Sequence, residues 1–296
     1  MHTVDNNTLT YSQPHAGVAL VAEGGGQRGA FTAGVLDSWQ IANFNPFQVL
    51  IGTSAGAQNI ASYMSKQTGY AYTLIANLTR HQSFFNPWRA FTKKNVMDLD
   101  WYFAKAASKF YQFDEHQAYL NSQGRKVRFS ASNSSKFATE LIDPNVQGWL
   151  EALKYSSAIP YLYKSDSLVD GGVTAPVPVH QAYELGAKTI LTIRTTVEDR
   201  SPMPKPIKQL KPFICGKGKC PEFINLWTKH EHAYDEAESF IQQPPAGVKV
   251  IEIKPLQPLK TKVLGSSQQD IVADYKYGFA LGRRFIENTD ESLVIH

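Results

Sequence analysis

Two stretches near the start of the chain repeat one plan: a short apolar run, a glycine turn, then apolar residues at helical spacing. Gly17-Val-Ala-Leu-Val-Ala22 stops at Gly24-Gly-Gly-Gln-Arg-Gly29, after which Ala30, Phe31, Ala33, Val35, Leu36 and Trp39 recur with helical spacing. Phe47-Gln-Val-Leu-Ile51 runs likewise into Gly52-Thr-Ser-Ala-Gly56, with a helical pattern continuing to Met64. An apolar run without alternation suits a strand buried on both faces, as in a parallel sheet covered by helices. Strand, turn and helix, twice over, set the chain on an α/β course.

The rest of the pattern extends this plan. Strands are predicted at 126–131, 167–169, 189–193 and 248–253, and helices at 146–155, 178–185, 222–242 and 269–287. Residues 67–122 read as mostly helical around a break at Phe84-Phe-Asn-Pro-Trp88. The expected fold is α/β, a three-layer sandwich around a mostly parallel central sheet. A polar tail at 1–14 precedes a single domain at 15–290, which carries a Lys- and Pro-rich surface loop at 201–221. With 296 residues, 43% hydrophobic and 19% charged, the chain has ample material for a core and is not expected to be disordered.

Charge and cysteine content exclude several function classes. Thirty basic against 26 acidic residues leave +4, too little to argue for nucleic acid. The two cysteines, Cys215 and Cys220, cannot form a disulfide framework, so a reduced compartment, the cytoplasm, is expected. The N-terminus has no apolar h-region, so no signal peptide is expected, and the longest apolar runs are strand-length, far short of the roughly 20 residues that span a bilayer.

Gly24, Gly26 and Gly29 satisfy the dinucleotide-fold pattern. That fold also needs an acidic residue at the tip of the second strand, and here the strand runs into Gly52-Thr-Ser-Ala-Gly56 instead. This second turn is G-x-S-x-G between strand and helix. Gly52 and Gly56 give the room a nucleophile elbow needs, with Ser54 at its tip. A helix N-cap serine in a glycine turn is the other reading, and the motif alone leaves both open. None of the downstream histidines, His81, His116, His180, His230, His232 and His296, sits at a clean strand-to-loop position, so a surface or core role is expected for each. Asp170 closes a short strand and precedes Gly171 and Gly172. That puts a carboxylate at a strand tip, although taken alone Asp-Gly-Gly favours a hairpin turn.

Taken in order, Gly24-Gly-Gly-Gln-Arg-Gly29, Gly52-Thr-Ser-Ala-Gly56 and Asp170-Gly-Gly172 resemble the signature of bacterial patatin-like phospholipases. Ser156-Ser-Ala-Ile-Pro160, Asp98-Leu-Asp-Trp-Tyr-Phe103, Pro178-Val-His-Gln-Ala182 and Gly186-Ala-Lys-Thr-Ile190 are similar to that group as well. The resemblance implies a patatin-like catalytic domain with a Ser–Asp dyad that uses no histidine. Ser54 matches the nucleophile and Asp170 the residue that takes its proton. Gly24, Gly25 and Gly26 match the oxyanion hole, with Arg28 beside it, and Gly29, Gly52, Gly56, Gly171 and Gly172 complete the motifs. The implied activity is hydrolysis of lipid carboxylic esters, of phospholipase A or lysophospholipase type, with no cofactor and no metal. A general carboxylesterase or thioesterase, or a lipid-binding protein of the same fold without turnover, are the alternatives.

Three further features stand beside the motifs. Cys215 and Cys220 followed by His230 and His232 offer ligand types for zinc, but histidines two apart on a helix face different ways, and free thiols in a solvated loop are expected. The lysines of 201–221, with Phe213, Ile214 and Trp227, offer a peripheral contact with an anionic membrane surface, against a plain surface loop. Phe84, Phe85, Trp88 and Phe91 are candidates for an acyl channel or an ordinary core cluster.

Overall fold

The computed structural model describes residues 13–197 and 220–287, together with 212, 218 and 294–295. Five parallel strands form the middle of one sheet: β1 (His15–Ala22), β2 (Phe47–Thr53), β3 (Lys126–Asn133), β6 (Thr189–Ile193) and β7 (Lys249–Ile253). β4 (Ala138–Ile142) and β8 (Val294–Ile295) pair antiparallel at the two edges, giving the order β4-β3-β2-β1-β6-β7-β8. β5 (Leu168–Asp170) pairs antiparallel with β3 outside this path.

The pleat sends alternate residues of the central strands into two cores. Leu20 and Leu50 pack with Phe31 and Trp39 of α1 (Gly29–Ile41), Ile60 of α2 (Ala55–Met64) and Leu281 of a C-terminal helix, Gln268–Glu287. Ala19, Val21, Val49 and Ile51 meet the opposite layer, where Ala182 and Tyr234, Ala237 and Ile241 come from the helices Val179–Glu184 and Cys220–Gln242. The result is the expected three-layer sandwich with a mostly parallel sheet. Trp39 anchors the first core: it is fully buried, stacks on Phe47, and its indole N–H donates to the Gly282 carbonyl at 3.1 Å. Burying an indole of this size contributes on the order of 5 kcal/mol from area alone.

Several element boundaries differ from the sequence expectation. The helix expected at 146–155 is two, Pro144–Gln147 and Trp149–Ser156, separated by Gly148 at φ 90°. The region 67–122 holds the helices Tyr70–Asn77, Leu99–Ala106 and Glu115–Ser122, with a 3-10 turn at Pro87–Phe91. β4 and β8 were not expected, because one is half-exposed and polar and the other has two residues. The helix expected from residue 222 begins at Cys220 and is called α9 below, with the helices numbered in chain order. Most of the 201–221 loop and of the 1–14 tail lies outside the described residues.

Candidate active site

The sheet register brings Ser54 to Asp170. Along one side of β3, β2 pairs as far as Thr53 opposite Ser130. The next residue of β3, Ala131, faces Asp170, the last residue of β5 arriving from the opposite direction. With β4 holding the other side of β3, the ends of β2 and β5 meet in one line, and both chains turn away from the sheet there.

Ser54 occupies the turn at φ 53°, ψ −119°, a left-handed conformation that costs a non-glycine residue about 1–3 kcal/mol. Its surroundings hold it there. The Ser54 N–H donates to Ser156 Oγ at 2.9 Å, and that hydroxyl donates to the Ser130 carbonyl at 2.7 Å. Thr53 Oγ1 donates to the Ala175 carbonyl at 2.7 Å and lies 2.5 Å from Ser130 Oγ. A Cβ on Gly56 would stand 2.3 Å from the Ala22 carbonyl oxygen, so α2 can leave the turn this close to β1 only with glycine there.

Asp170 is 7% exposed and fixed on all sides. Its N–H donates to the Ala158 carbonyl, its carbonyl accepts from Ser132 Oγ, and its Oδ1 accepts the Gly172 N–H at 2.7 Å. Burial pushes the carboxyl from the usual 3.8 up to about 6, while hydrogen bonds from the Ser54 hydroxyl and the Gly172 N–H hold it below what burial alone would give. Among the described residues no cation forms an ion pair with it. Asp170-Gly171-Gly172 is therefore a strand end continuing into a 3-10 turn, Gly171–Val173, rather than a hairpin. Gly171 is needed because a Cβ there would lie 2.2 Å from the Ser130 carbonyl oxygen.

The glycine turn after β1 forms the third side. The Gly24 N–H is taken by the Pro176 carbonyl at 3.1 Å, whereas no acceptor among the described residues takes the N–H of Gly25 or Gly26. Gln27 clamps the turn: its N–H donates to the Val263 carbonyl, and its side chain accepts from the Ser266 N–H and donates to Thr79 Oγ1. Arg28 lies back along the turn, with Nε 3.4 Å from the Gly25 carbonyl. Gly29 opens α1, whose N-terminus adds a positive field at the same point.

Beneath the turn lies a buried charged network that sequence reasoning did not single out. Glu23, fully buried, accepts from Arg194 Nε at 3.2 Å, the Thr195 N–H at 2.6 Å and the Tyr234 hydroxyl at 2.7 Å. Arg194 also meets Glu252 at 2.9 Å and Glu238 at 3.0 Å. Burial opposes the charge on Arg194, but Glu23, Glu252 and Glu238 more than offset it. No local pattern marks these residues, because they come from just beyond the ends of β1 and β6, from β7 and from the helix Cys220–Gln242, and join only when the sheet forms.

Ser54, Asp170, Gly172, Arg28 and Gly24 to Gly26 line one cavity of about 130 Å³. Its outer wall is α9, which contributes Phe223, Leu226, Trp227, His230 and Tyr234. His230 faces the site: Nδ1 hydrogen-bonds the Gly172 carbonyl, between the rings of Trp227 and Tyr234, and burial lowers its pKa. His232 points away, exposed and beside Glu236, as spacing two apart requires. Among the described residues no three His, Cys, Asp or Glu side chains are grouped to hold a metal ion, and Cys215 lies outside them. Trp227 belongs to the cavity, while Phe213 and Ile214 are outside the described residues. The aromatic group divides. Phe84 is buried and lines a smaller apolar cavity on the other side of Ser54, with Met97, Leu99 and Leu264, whereas Trp88 and Phe91 are exposed.

A family model described as patatin-like phospholipase matches residues 20–183, and one described as a domain of unknown function, DUF6363, matches 220–294. The chain is 37% identical over 283 residues to YjjU of Escherichia coli (strain K12), described as an uncharacterized protein, covering 94% of this chain and 79% of that one. Among solved structures, VipD from Legionella pneumophila aligns at 12% identity and TM-score 0.39, over 95% of this chain and 68% of that one. The type III effector protein ExoU aligns at 10% identity and TM-score 0.41, over 96% of this chain and 55% of that one. Among the described residues no helix is long and apolar enough to cross a membrane.

Proposed function

The chain belongs to the patatin-like phospholipase family, a family of lipid hydrolases, and on that premise we propose that it cleaves carboxylic esters of lipids with Ser54 as nucleophile and Asp170 as base. The observation that carries this reading is the end-to-end meeting of β2 and β5 on β3, which sets the serine against a buried carboxylate.

The chemistry follows from that contact. Asp170, ionised above about pH 6, accepts the Ser54 proton as Oγ attacks the ester carbonyl. The carbonyl oxygen becomes an oxyanion, met by the Gly25 and Gly26 N–H groups and the N-terminus of α1. Collapse expels the alcohol, which takes the proton from Asp170 and leaves an acyl-Ser54. A water then repeats the sequence, giving its proton to Asp170 and releasing the acid, while Ser54 recovers its hydrogen. Glycerophospholipids or lysophospholipids are the substrates this reading favours, with the acyl chain in the apolar cavity beside Phe84.

A fluorophosphonate probe is expected to label wild-type protein and not Ser54→Ala. Asp170→Asn should lower ester turnover by roughly 10²–10⁴-fold, the usual worth of a general base. Near-normal turnover in Asp170→Asn, or equal labelling of Ser54→Ala, would reject the dyad. Turnover of a soluble short-chain ester or thioester with none of phospholipid would favour the general esterase alternative.

A further inference from the structure

A second, larger cleft adjoins the one that holds Ser54. It encloses about 830 Å³ and shares Pro160, Tyr161 and Leu226 with the smaller cavity. This volume lies within the range of small-molecule sites, roughly 300–1,000 Å³. Its lining is cationic: Arg89, Lys93, Lys94 and Lys164 against one carboxylate, Glu222. Arg89 is 3.7 Å from Asp98, but among the described residues Lys93, Lys94 and Lys164 have no carboxylate partner. Three amines on one concave wall repel one another unless an anion joins them.

The frame carrying these charges is fixed. The Lys164 N–H donates to Asn95 Oδ1 at 2.9 Å, and the Met97 N–H to the Leu162 carbonyl at 2.9 Å, so the segments bearing Lys94 and Lys164 are tied together. At the boundary of the two cavities Tyr161 is held at φ 67°, with its ring 5.6 Å from that of Phe223. Residues in such conformations collect at ligand clamps. The segment beside Lys93 also projects Trp88 and Phe91, which are 77% and 71% exposed. Aromatic rings next to lysines suit the boundary between lipid head groups and acyl chains.

Resting on the reading of Ser54 given above, we propose that this cleft is the head-group subsite of the substrate and takes the phosphate of an anionic glycerophospholipid, whose ester reaches Ser54 across the Tyr161–Leu226 boundary. The cleft is continuous with the reacting centre through Pro160, Tyr161 and Leu226.

The test compares the full chain with a Lys93→Glu, Lys94→Glu, Lys164→Glu variant on monomeric dihexanoyl phosphatidylglycerol and dihexanoyl phosphatidylcholine. The readout is the ratio of kcat/KM for the two lipids, so any general loss of folded enzyme cancels. The wild-type ratio should favour phosphatidylglycerol and fall by about tenfold or more in the variant, less so at high salt. An unchanged ratio overturns the subsite. Calorimetric titration of Ser54→Ala with the same two lipids and with glycerol phosphate tests binding without turnover. Preferential binding of phosphatidylglycerol supports the subsite even where the wild type hydrolyses neither lipid, a result that would reject only phospholipid hydrolysis at Ser54. Equal binding of glycerol phosphate would assign the cleft to a soluble phosphate ester and overturn the lipid assignment, and binding of none of them overturns the site.

Discussion

The burial that would make Asp170 a base under the proposed mechanism works against the stability of the fold. Asp170 is 7% exposed, has no cationic partner among the described residues, and is raised from 3.8 to about 6 with burial as the leading cause. Between these two values the unfolded chain has released the proton and the folded protein still holds it, so stability falls as pH rises through that window and levels off above pH 6. At about 1.4 kcal/mol per pH unit, the raised pKa costs the fold roughly 2 kcal/mol at pH 5, where the folded carboxyl still holds its proton, and about 3 kcal/mol at pH 7.5, where it is ionised. Asp170→Asn retains an oxygen for the Gly172 N–H and presents an NH₂ to Ser54, but never has to be charged. It should therefore lose roughly 10²–10⁴-fold in turnover and yet be more stable than wild type, by about 3 kcal/mol at pH 7.5, with the gain vanishing towards pH 4. Urea unfolding of both proteins, followed by circular dichroism at pH 4.5, 5, 6 and 7.5, measures the difference directly. A gain independent of pH, or a loss of stability at pH 7.5, would refute burial as the origin of the raised pKa, and with it the account of how Asp170 acts as base.

The same carboxyl sets the pH–rate profile: kcat/KM for a soluble ester should rise through an apparent pKa of about 6 and then stay flat, since the base must be ionised. Glu23→Gln removes the charge that Arg194 and the Tyr234 hydroxyl converge on while Glu252 and Glu238 still pair with Arg194, and should cost about 1.5–3 kcal/mol in urea unfolding. Gly171→Ala places a methyl 2.2 Å from the Ser130 carbonyl, so β5 must shift; lower stability together with lower kcat is expected, and unchanged kcat would show that Asp170 is held by other means. His230→Phe keeps a ring between Trp227 and Tyr234 but loses the bond to the Gly172 carbonyl, which should cost about 1 kcal/mol and lower kcat severalfold while leaving the pH limb in place.

What could be read from the sequence was what local chemistry dictates. Buried runs such as 18–22 and 189–193 announce parallel strands because they are apolar on both faces, and glycines at 52 and 56 announce a turn with no room for a Cβ. The polar edge strand β4 carries no such signal, since one side of it meets water. Asp-Gly-Gly fits a hairpin as well as a strand end, and only the partner strand decides: Asp170 opposite Ala131 leaves no hairpin to form. The break at Gly148 escaped because the apolar spacing continues across it, while the chain there takes φ 90°. His230 looked like any helical histidine; what makes it part of the site is a carbonyl 58 residues earlier in the chain.

That last case is general for the C-terminal third. The segment matched by the phospholipase model supplies Ser54, Asp170 and the glycine turn, and residues beyond it hold the glycine turn and the turn after Asp170 in place. The Val263 carbonyl and the Ser266 N–H clamp Gln27, Tyr234 reaches Glu23 beneath the turn, and His230 holds the Gly172 carbonyl behind Asp170. Each contact joins a residue after 220 to the glycine turn, to its flank at Glu23, or to the turn after Asp170. The N–H groups of Gly25 and Gly26, which meet no acceptor among the described residues, keep a fixed direction only while the residues flanking them are pinned, because a turn of three glycines has no side chains with which to fix itself. The C-terminal segment thus gives the glycine-rich turn the rigidity that the proposed oxyanion site requires, and changes in α9 that touch no substrate should act on kcat before they act on KM.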